Sequence, residues 1–131
     1  MSSSTQNDPL QKLRGKRVIV TGASGFIGHN LVRALSQLEA EVVVIDRTQP
    51  NEHFPHVEFE WADLRHLTKM YETDYLIHLA AVTNAGYAER YPIDTYEQNV
   101  LGTINLLNHV EVSTRIMFPS TALVYGASST P

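Results

Sequence analysis

The chain has 131 residues, 43% of them hydrophobic, with a formal net charge of −4 and no cysteine. That is enough for one domain with a real core; it excludes disulfides, thiolate catalysis and cysteine-ligated metal, and it offers no basic footprint for nucleic acid or an anionic membrane. No apolar run approaches the length of a membrane span, so a cytoplasmic protein is the simplest reading.

The elements follow in chain order. The polar stretch MSSSTQNDPLQKLRG, residues 1–15, reads as a flexible leader without the apolar centre of a secretory signal. Residues 16–131 read as one dinucleotide-binding domain. Arg17–Thr21 (RVIVT) is a short continuous apolar run that ends at a glycine, as a strand buried on both faces should. Ile27, Leu31, Ala34, Leu35 and Leu38 then recur at helical spacing. Glu41–Asp46 (EVVVID) is a second buried strand, Val57–Trp61 a third, Tyr75–Ala80 a fourth and Arg115–Ser120 a fifth. Between the last two, Pro92 opens a long helix running to Glu111. Ile93, Tyr96, Val100, Ile104, Leu107 and Glu111 trace one side of it, whose apolar members are expected to face the sheet. Gly102 inside that helix costs about 1 kcal/mol relative to alanine, which suggests close packing there. Strand, helix, strand, repeated, implies right-handed crossovers. The fold expected is α/β, a doubly wound parallel sheet of Rossmann type with about five strands.

The most informative stretch is VIVTGASGFIGHN, Val18–Asn30. Gly22, Gly25 and Gly28 lie between a buried strand and an amphipathic helix. A tight turn needs permissive backbone angles, a pyrophosphate needs bare backbone to approach, and the helix needs a bare first turn to lie against the sheet. The helix N-terminus then offers free N–H groups and the positive end of its dipole. Gly22, Ser24, Gly25, Phe26, Ile27 and Gly28 are therefore candidates to hold a dinucleotide; no Gly-Lys-Ser/Thr follows, which excludes a P-loop. Asp46 closes the next strand, where a carboxylate accepts hydrogen bonds from ribose hydroxyls and repels a 2′-phosphate. Arg47 beside it could instead attract that phosphate, so the expectation is NAD over NADP, with a solvated strand-end acid as the plain alternative for Asp46.

On these residues the chain resembles the extended short-chain dehydrogenase/reductases, the nucleotide-sugar epimerase and dehydratase group. TGASGFIG carries the Gly-x-x-Gly-x-x-Gly spacing of that group, and four further segments are similar in the same order. By the resemblance, ADLR (Ala62–Arg65) places Asp63 on the adenine amino group with Leu64 close by. HLAAVT (His78–Thr83) brings Leu79, Ala80, Ala81 and Thr83 beneath the cofactor, and QNVLGTINLL (Gln98–Leu107) gives Asn99 the task of steadying the active-site strand. PSTALVYG (Pro119–Gly126) supplies a catalytic hydroxyl at Thr121, with Ser120 one step before. Taken alone, Asp63 could equally cap a helix over Leu64–Met70, and Asn99 could be a surface amide.

The resemblance also implies a tyrosine base whose ordinary pKa of about 10 is lowered by a lysine four residues on. None of Tyr71, Tyr75, Tyr87, Tyr91, Tyr96 or Tyr125 has lysine at that position. The expectation is thus the NAD-binding part of a nucleotide-sugar epimerase or dehydratase that stops before its Tyr-x-x-x-Lys helix, inactive alone, with a homodimer through the Pro92–Glu111 helix. The alternative is a naturally short, non-catalytic dinucleotide-binding sensor or partner module. His53-x-x-His56 reads as a solvated loop and no metal is expected; His78, inside a strand, reads as a satisfied core histidine.

Overall fold

The computed structural model describes residues 9–126. Five strands form one all-parallel sheet in the order β3-β2-β1-β4-β5: β1 is Arg17–Thr21, β2 Glu41–Asp46, β3 Val57–Trp61, β4 Tyr75–His78 and β5 Arg115–Met117. The order reverses between β1 and β4, the switch point at which such sheets leave a crevice beyond the carboxyl ends of their strands. Both outer connections return parallel, so helices must cover both faces.

Alternation along the central strands divides the core in two. Val18, Val20, Val42 and Val44 point to one face and pack with Val32 and Leu35 of α1, Phe26–Gln37. Ile19, Val43, Ile45 and Leu76 point to the other and meet Leu67, Tyr71, Leu106 and Val110. These aliphatic side chains are almost wholly withdrawn from water, each contributing about 1.5–3 kcal/mol. On the α1 side the cover ends early. Tyr75 and Ile77 are only partly buried, and Met117 of β5, opposite Ile77, is exposed.

The expected elements are present with shorter strands at two places, because β4 stops at His78 and β5 at Met117. A helix not anticipated, α2, spans Ala85–Arg90 and is capped by the Asn84 side chain on Tyr87 N–H. After Asp63 there is a single 3₁₀ turn, Leu64–His66. Residues 1–8 of the expected leader lie outside the described residues. The rest is tied in: Pro9–Leu13 is a 3₁₀ turn with Leu13 against the core, and Gly15 N–H donates to Glu39 O.

The long helix differs from its expected orientation. It comprises α3 (Pro92–Tyr96), a π turn (Glu97–Leu101) and α4 (Gly102–Asn108). Ile93, Tyr96, Val100, Ile104 and Leu107, expected to face the sheet, are 75%, 57%, 38%, 51% and 42% exposed. The buried stripe is Gly102, Leu106 and Val110. The segment has two apolar stripes, and the sheet takes the narrower one because Asn99 and Thr103 on that side find polar partners in β4 and the loop after it. Gly102 does lie against Leu64 and Arg65, yet a Cβ there would meet Leu64 Cβ at an ordinary 3.5 Å. Among the described residues no helix is long and apolar enough to cross a membrane.

Candidate functional site

The carboxyl ends of β1, β2 and β4 open into a cleft of about 670 Å³. The glycine turn Gly22–Gly28 forms one wall and the loop after β4 its floor. Asp46, Arg47, Asp63 and Leu64 lie at one end, and Phe118, Pro119 and Ser120 at the other. The structure thus brings to one cavity Gly22, Ser24, Gly25, Phe26, Ile27, Gly28, Asp46, Arg47, Asp63, Leu64, Leu79, Ala80, Ala81, Thr83 and Ser120. Thr121 and Asn99 are not among the residues that line it.

Two glycines are required by the fold itself. Gly22 has φ +73°, and a Cβ there would sit 2.7 Å from Ala80 N; a Cβ on Gly28 would sit 2.3 Å from Gly22 O. Real Cβ atoms do not approach so closely, so these two positions let the turn close and α1 lie down on it. Gly25 is different. It has φ −76°, and its nearest obstacle to a Cβ is Gly22 O at 3.4 Å. Gly25 is also the N-cap of α1 and caps it with no side chain, leaving the first-turn amides of the helix directed at the cleft. Of the three glycines of the turn, Gly25 is the one whose missing side chain sterics do not require.

Asp46 is already at work. Its Oδ2 accepts from Ser24 N–H at 2.9 Å and Ser24 Oγ at 2.8 Å, and its Oδ1 from Thr48 N–H at 3.0 Å. The carboxylate therefore fastens the end of β2 to the glycine turn and retains lone pairs toward the cleft. The Trp61 indole N–H donates to Arg47 O at 2.7 Å, tying the lone tryptophan to the cleft rim.

Asp63 does cap the following turn, accepting from Arg65 N–H at 2.9 Å, and the Arg65 guanidinium doubles onto it at 2.7–3.2 Å. Those hydrogen bonds hold its carboxyl down at about 2. Arg47 lies 3.9 Å from Asp63 on the cleft side, while Arg65 reaches across to Asp94 and Glu97. Asp94 also accepts from the Tyr87 hydroxyl and the Gln98 amide. α2, α3 and the turn after β3 are thereby knotted together beside the cleft.

Asn99 does not line the cleft. Its Oδ1 accepts from Val82 N–H at 2.7 Å and its Nδ2 donates to Val82 O at 3.0 Å, a two-point clasp on the floor loop. Beside it His78 is the satisfied core histidine expected from its place in a strand, though nothing in the sequence pattern pointed to Thr21 and Thr103 as its partners. Ser120 faces the cleft, whereas Thr121 Oγ1 accepts from Leu123 N–H at 3.2 Å and caps the turn Ala122–Tyr125. Among the described residues no three His, Asp or Glu side chains are grouped to hold a metal.

Comparison with known proteins agrees with this architecture. Over 125 residues the chain is 34% identical to UDP-glucuronic acid decarboxylase 2 of Arabidopsis thaliana, covering 88% of this chain and 28% of that one. Over 120 residues it is 35% identical to UDP-glucose 4-epimerase of Halalkalibacterium halodurans, covering 83% and 36%. Among solved structures, MoeE5 in complex with UDP-glucose and NAD superposes with a TM-score of 0.72 at 29% identity, covering 86% and 39%. The chain thus spans about a third of the length of the relatives it matches. The model of the NAD dependent epimerase/dehydratase family matches residues 18–131, from the first buried strand through the glycine turn to the Ser120–Thr121 wall, and the chain belongs to that family.

Proposed function

We propose that this chain is the NAD(H)-binding part of a nucleotide-sugar epimerase/dehydratase-type oxidoreductase. The observation that carries the reading is Gly25, a bare N-cap with room for a side chain, facing a cleft whose far end holds a carboxylate on β2. The first-turn amides of α1 take the pyrophosphate and Asp46 the adenosine ribose, so that NAD is preferred to NADP. Asp63 and Leu64 receive the adenine. Leu79, Ala80, Ala81 and Thr83 support the middle of the cofactor, and Asn99 acts through its clasp on Val82. When bound, the nicotinamide accepts a hydride from a sugar carbon. Ser120 and Thr121 lie at that end of the cleft to hold the sugar hydroxyl; the Thr121 lone pair is engaged with Leu123 N–H, which leaves its O–H to donate. The relatives' names point to nucleoside-diphosphate sugars as the substrate class. None of the 131 residues forms a Tyr-x-x-x-Lys pair, so these residues do not supply the tyrosine base that the resemblance implies. That observation also supports the second reading, a dinucleotide-binding module without turnover.

Trp61 fluorescence should change on titration with NAD, and Asp46→Ala should weaken binding severalfold while the far-ultraviolet dichroism persists. No response to saturating NAD from the folded chain would sink the cofactor assignment. Turnover of a nucleotide sugar by a chain that carries Tyr-x-x-x-Lys beyond these residues would remove the module reading.

The exposed stripe Ile93, Tyr96, Val100, Ile104 and Leu107 is the surface for a homodimer. Sedimentation should show a concentration-dependent dimer that Ile104→Asp abolishes; a monomer at all concentrations would remove this part of the proposal.

A further inference from the structure

His78 is 3% exposed at the end of β4, and both ring nitrogens are engaged. Nδ1 lies 2.6 Å from Thr21 Oγ1 and Nε2 lies 2.8 Å from Thr103 Oγ1. The neighbours decide which nitrogen carries the proton. Thr103 has one hydroxyl hydrogen, and its Oγ1 donates to Asn99 O at 2.6 Å. It can therefore only accept from the ring, which requires Nε2–H. Nδ1 is then a bare lone pair, and Thr21 must donate to it. Thr21 Oγ1 in turn accepts from Ala80 N–H at 3.2 Å. Every donor and acceptor in the chain Ala80 N–H, Thr21, His78, Thr103, Asn99 C=O is used once in one direction. The opposite tautomer would take from the Thr21 hydroxyl hydrogen its acceptor and leave Nε2 facing an oxygen whose hydrogen is committed elsewhere. A buried polar network of this kind is favourable only when fully satisfied.

The two ends of the relay meet the same short loop. Ala80 N–H starts it, and Asn99, whose carbonyl ends it, clasps Val82 with its side chain. The carbonyl belongs to the π turn Glu97–Leu101, where helical hydrogen bonding is shifted. The His78 ring also rests against Phe118 at 5.5 Å between centroids, on the strand side of Ser120.

We infer that His78, fixed as the Nε2–H tautomer by Thr21 and Thr103, is a positioning residue that sets the height of the Ala80–Val82 floor against the π turn. Its consequence for cofactor binding rests on the NAD reading above; the relay itself does not. The single Cβ gap between Gly22 and Ala80 explains why that height matters, since the glycine turn and the floor already touch there.

The test uses the ligand-free chain of 131 residues, so failure to bind NAD and failure of the relay are seen separately. The ¹⁵N spectrum of His78, assigned through its side chain, should show protonated Nε2 and unprotonated Nδ1 at neutral pH. Thr103→Val should raise amide hydrogen exchange at Ala80 and Val82 about tenfold, the loss of one buried hydrogen bond, with Val44 in β2 unchanged, and Thr103→Ser should restore the parent rates. In a chain that binds NAD, the valine variant should bind it severalfold more weakly and the serine variant like the parent. A protonated Nδ1 would overturn the inference. So would exchange that rises equally at Val44, or a serine variant indistinguishable from valine. Should Thr103→Val not fold, the tautomer in the parent and the serine variant decide the matter.

Discussion

The three glycines of the turn answer to different forces, and substitution separates them. Alanine at Gly28 would drive a methyl to 2.3 Å from Gly22 O, and alanine at Gly22 adds a positive φ to a collision with Ala80. Each should destabilise the chain by about 3 kcal/mol, the upper range for overpacking against a backbone that cannot yield. Alanine at Gly25 meets nothing closer than 3.4 Å and should cost only about 1 kcal/mol, as a poorer N-cap for α1, while weakening NAD binding at least severalfold. Thermal denaturation and a titration on the same three variants check this; a Gly25→Ala as destabilised as the other two would return that glycine to the fold. Spacing alone made the trio visible, because bare positions between a strand and a helix form a linear pattern. It could not rank them, since the ranking depends on how the turn folds back on Gly22 and on Ala80, far along the chain.

At the scale of elements, the strands and α1 were legible because a strand buried on both faces reads as an unbroken apolar run and little else does. The long helix was legible at its start, ends at Asn108 rather than Glu111, and was misread in orientation. Periodicity finds an apolar stripe but not its partner, and this segment has two. The small and polar residues Asn99, Gly102 and Thr103 carry no hydrophobic signal, yet they occupy the side that meets the sheet and the turn after β3. α2 escaped notice because, at six residues, it is too short to establish a period. The glycine turn and Asp46 stood out in the pattern itself, and the other segments that meet at the cleft through family likeness, with Asn99 and Thr121 outside its lining; the His78 relay was not legible, being assembled from three segments distant in sequence. The structure also changes the expectation for Gly102. With a Cβ position 3.5 Å from Leu64, nothing excludes a methyl, so Gly102→Ala should stabilise the chain by up to about 1 kcal/mol through helix propensity. Urea denaturation measures it; a loss of stability would mean that the π turn requires a glycine after it.

The whole molecule should lose stability in two steps on acidification. Burial lowers the His78 pKa from its ordinary 6.5, so the unfolded chain takes up this proton first. The stability associated with neutral His78 is complete above about 6.5 and declines as pH falls below it. Asp63, held at about 2 against 3.8 in the unfolded chain, contributes stability that is complete above 3.8 and is lost between 3.8 and about 2. Chemical denaturation across pH should show both descents. His78→Gln should remove the first and Asp63→Asn should reduce the second, to which Asp74, held down by the Arg17 N–H, and Asp94, held down by the Tyr87 hydroxyl, also contribute; a parent chain with no decline directly below 6.5 would contradict the buried neutral imidazole.

The sheet is unevenly anchored. β1 and β2 share a five-rung ladder, as do β2 and β3, whereas β5 is held to β4 over only three residues and all three of its side chains are exposed. Yet β5 is the strand that delivers Ser120 and Thr121 to the cleft. The division is therefore one of rigidity as well as of chemistry. The end proposed for adenosine is built into the most fully paired part of the sheet, and the end proposed for a sugar hangs from the strand that opens with the least work. A dinucleotide would dock first on a preformed bed, and the hydroxyl-bearing wall would take its final set only when something, substrate or further protein, leans against it.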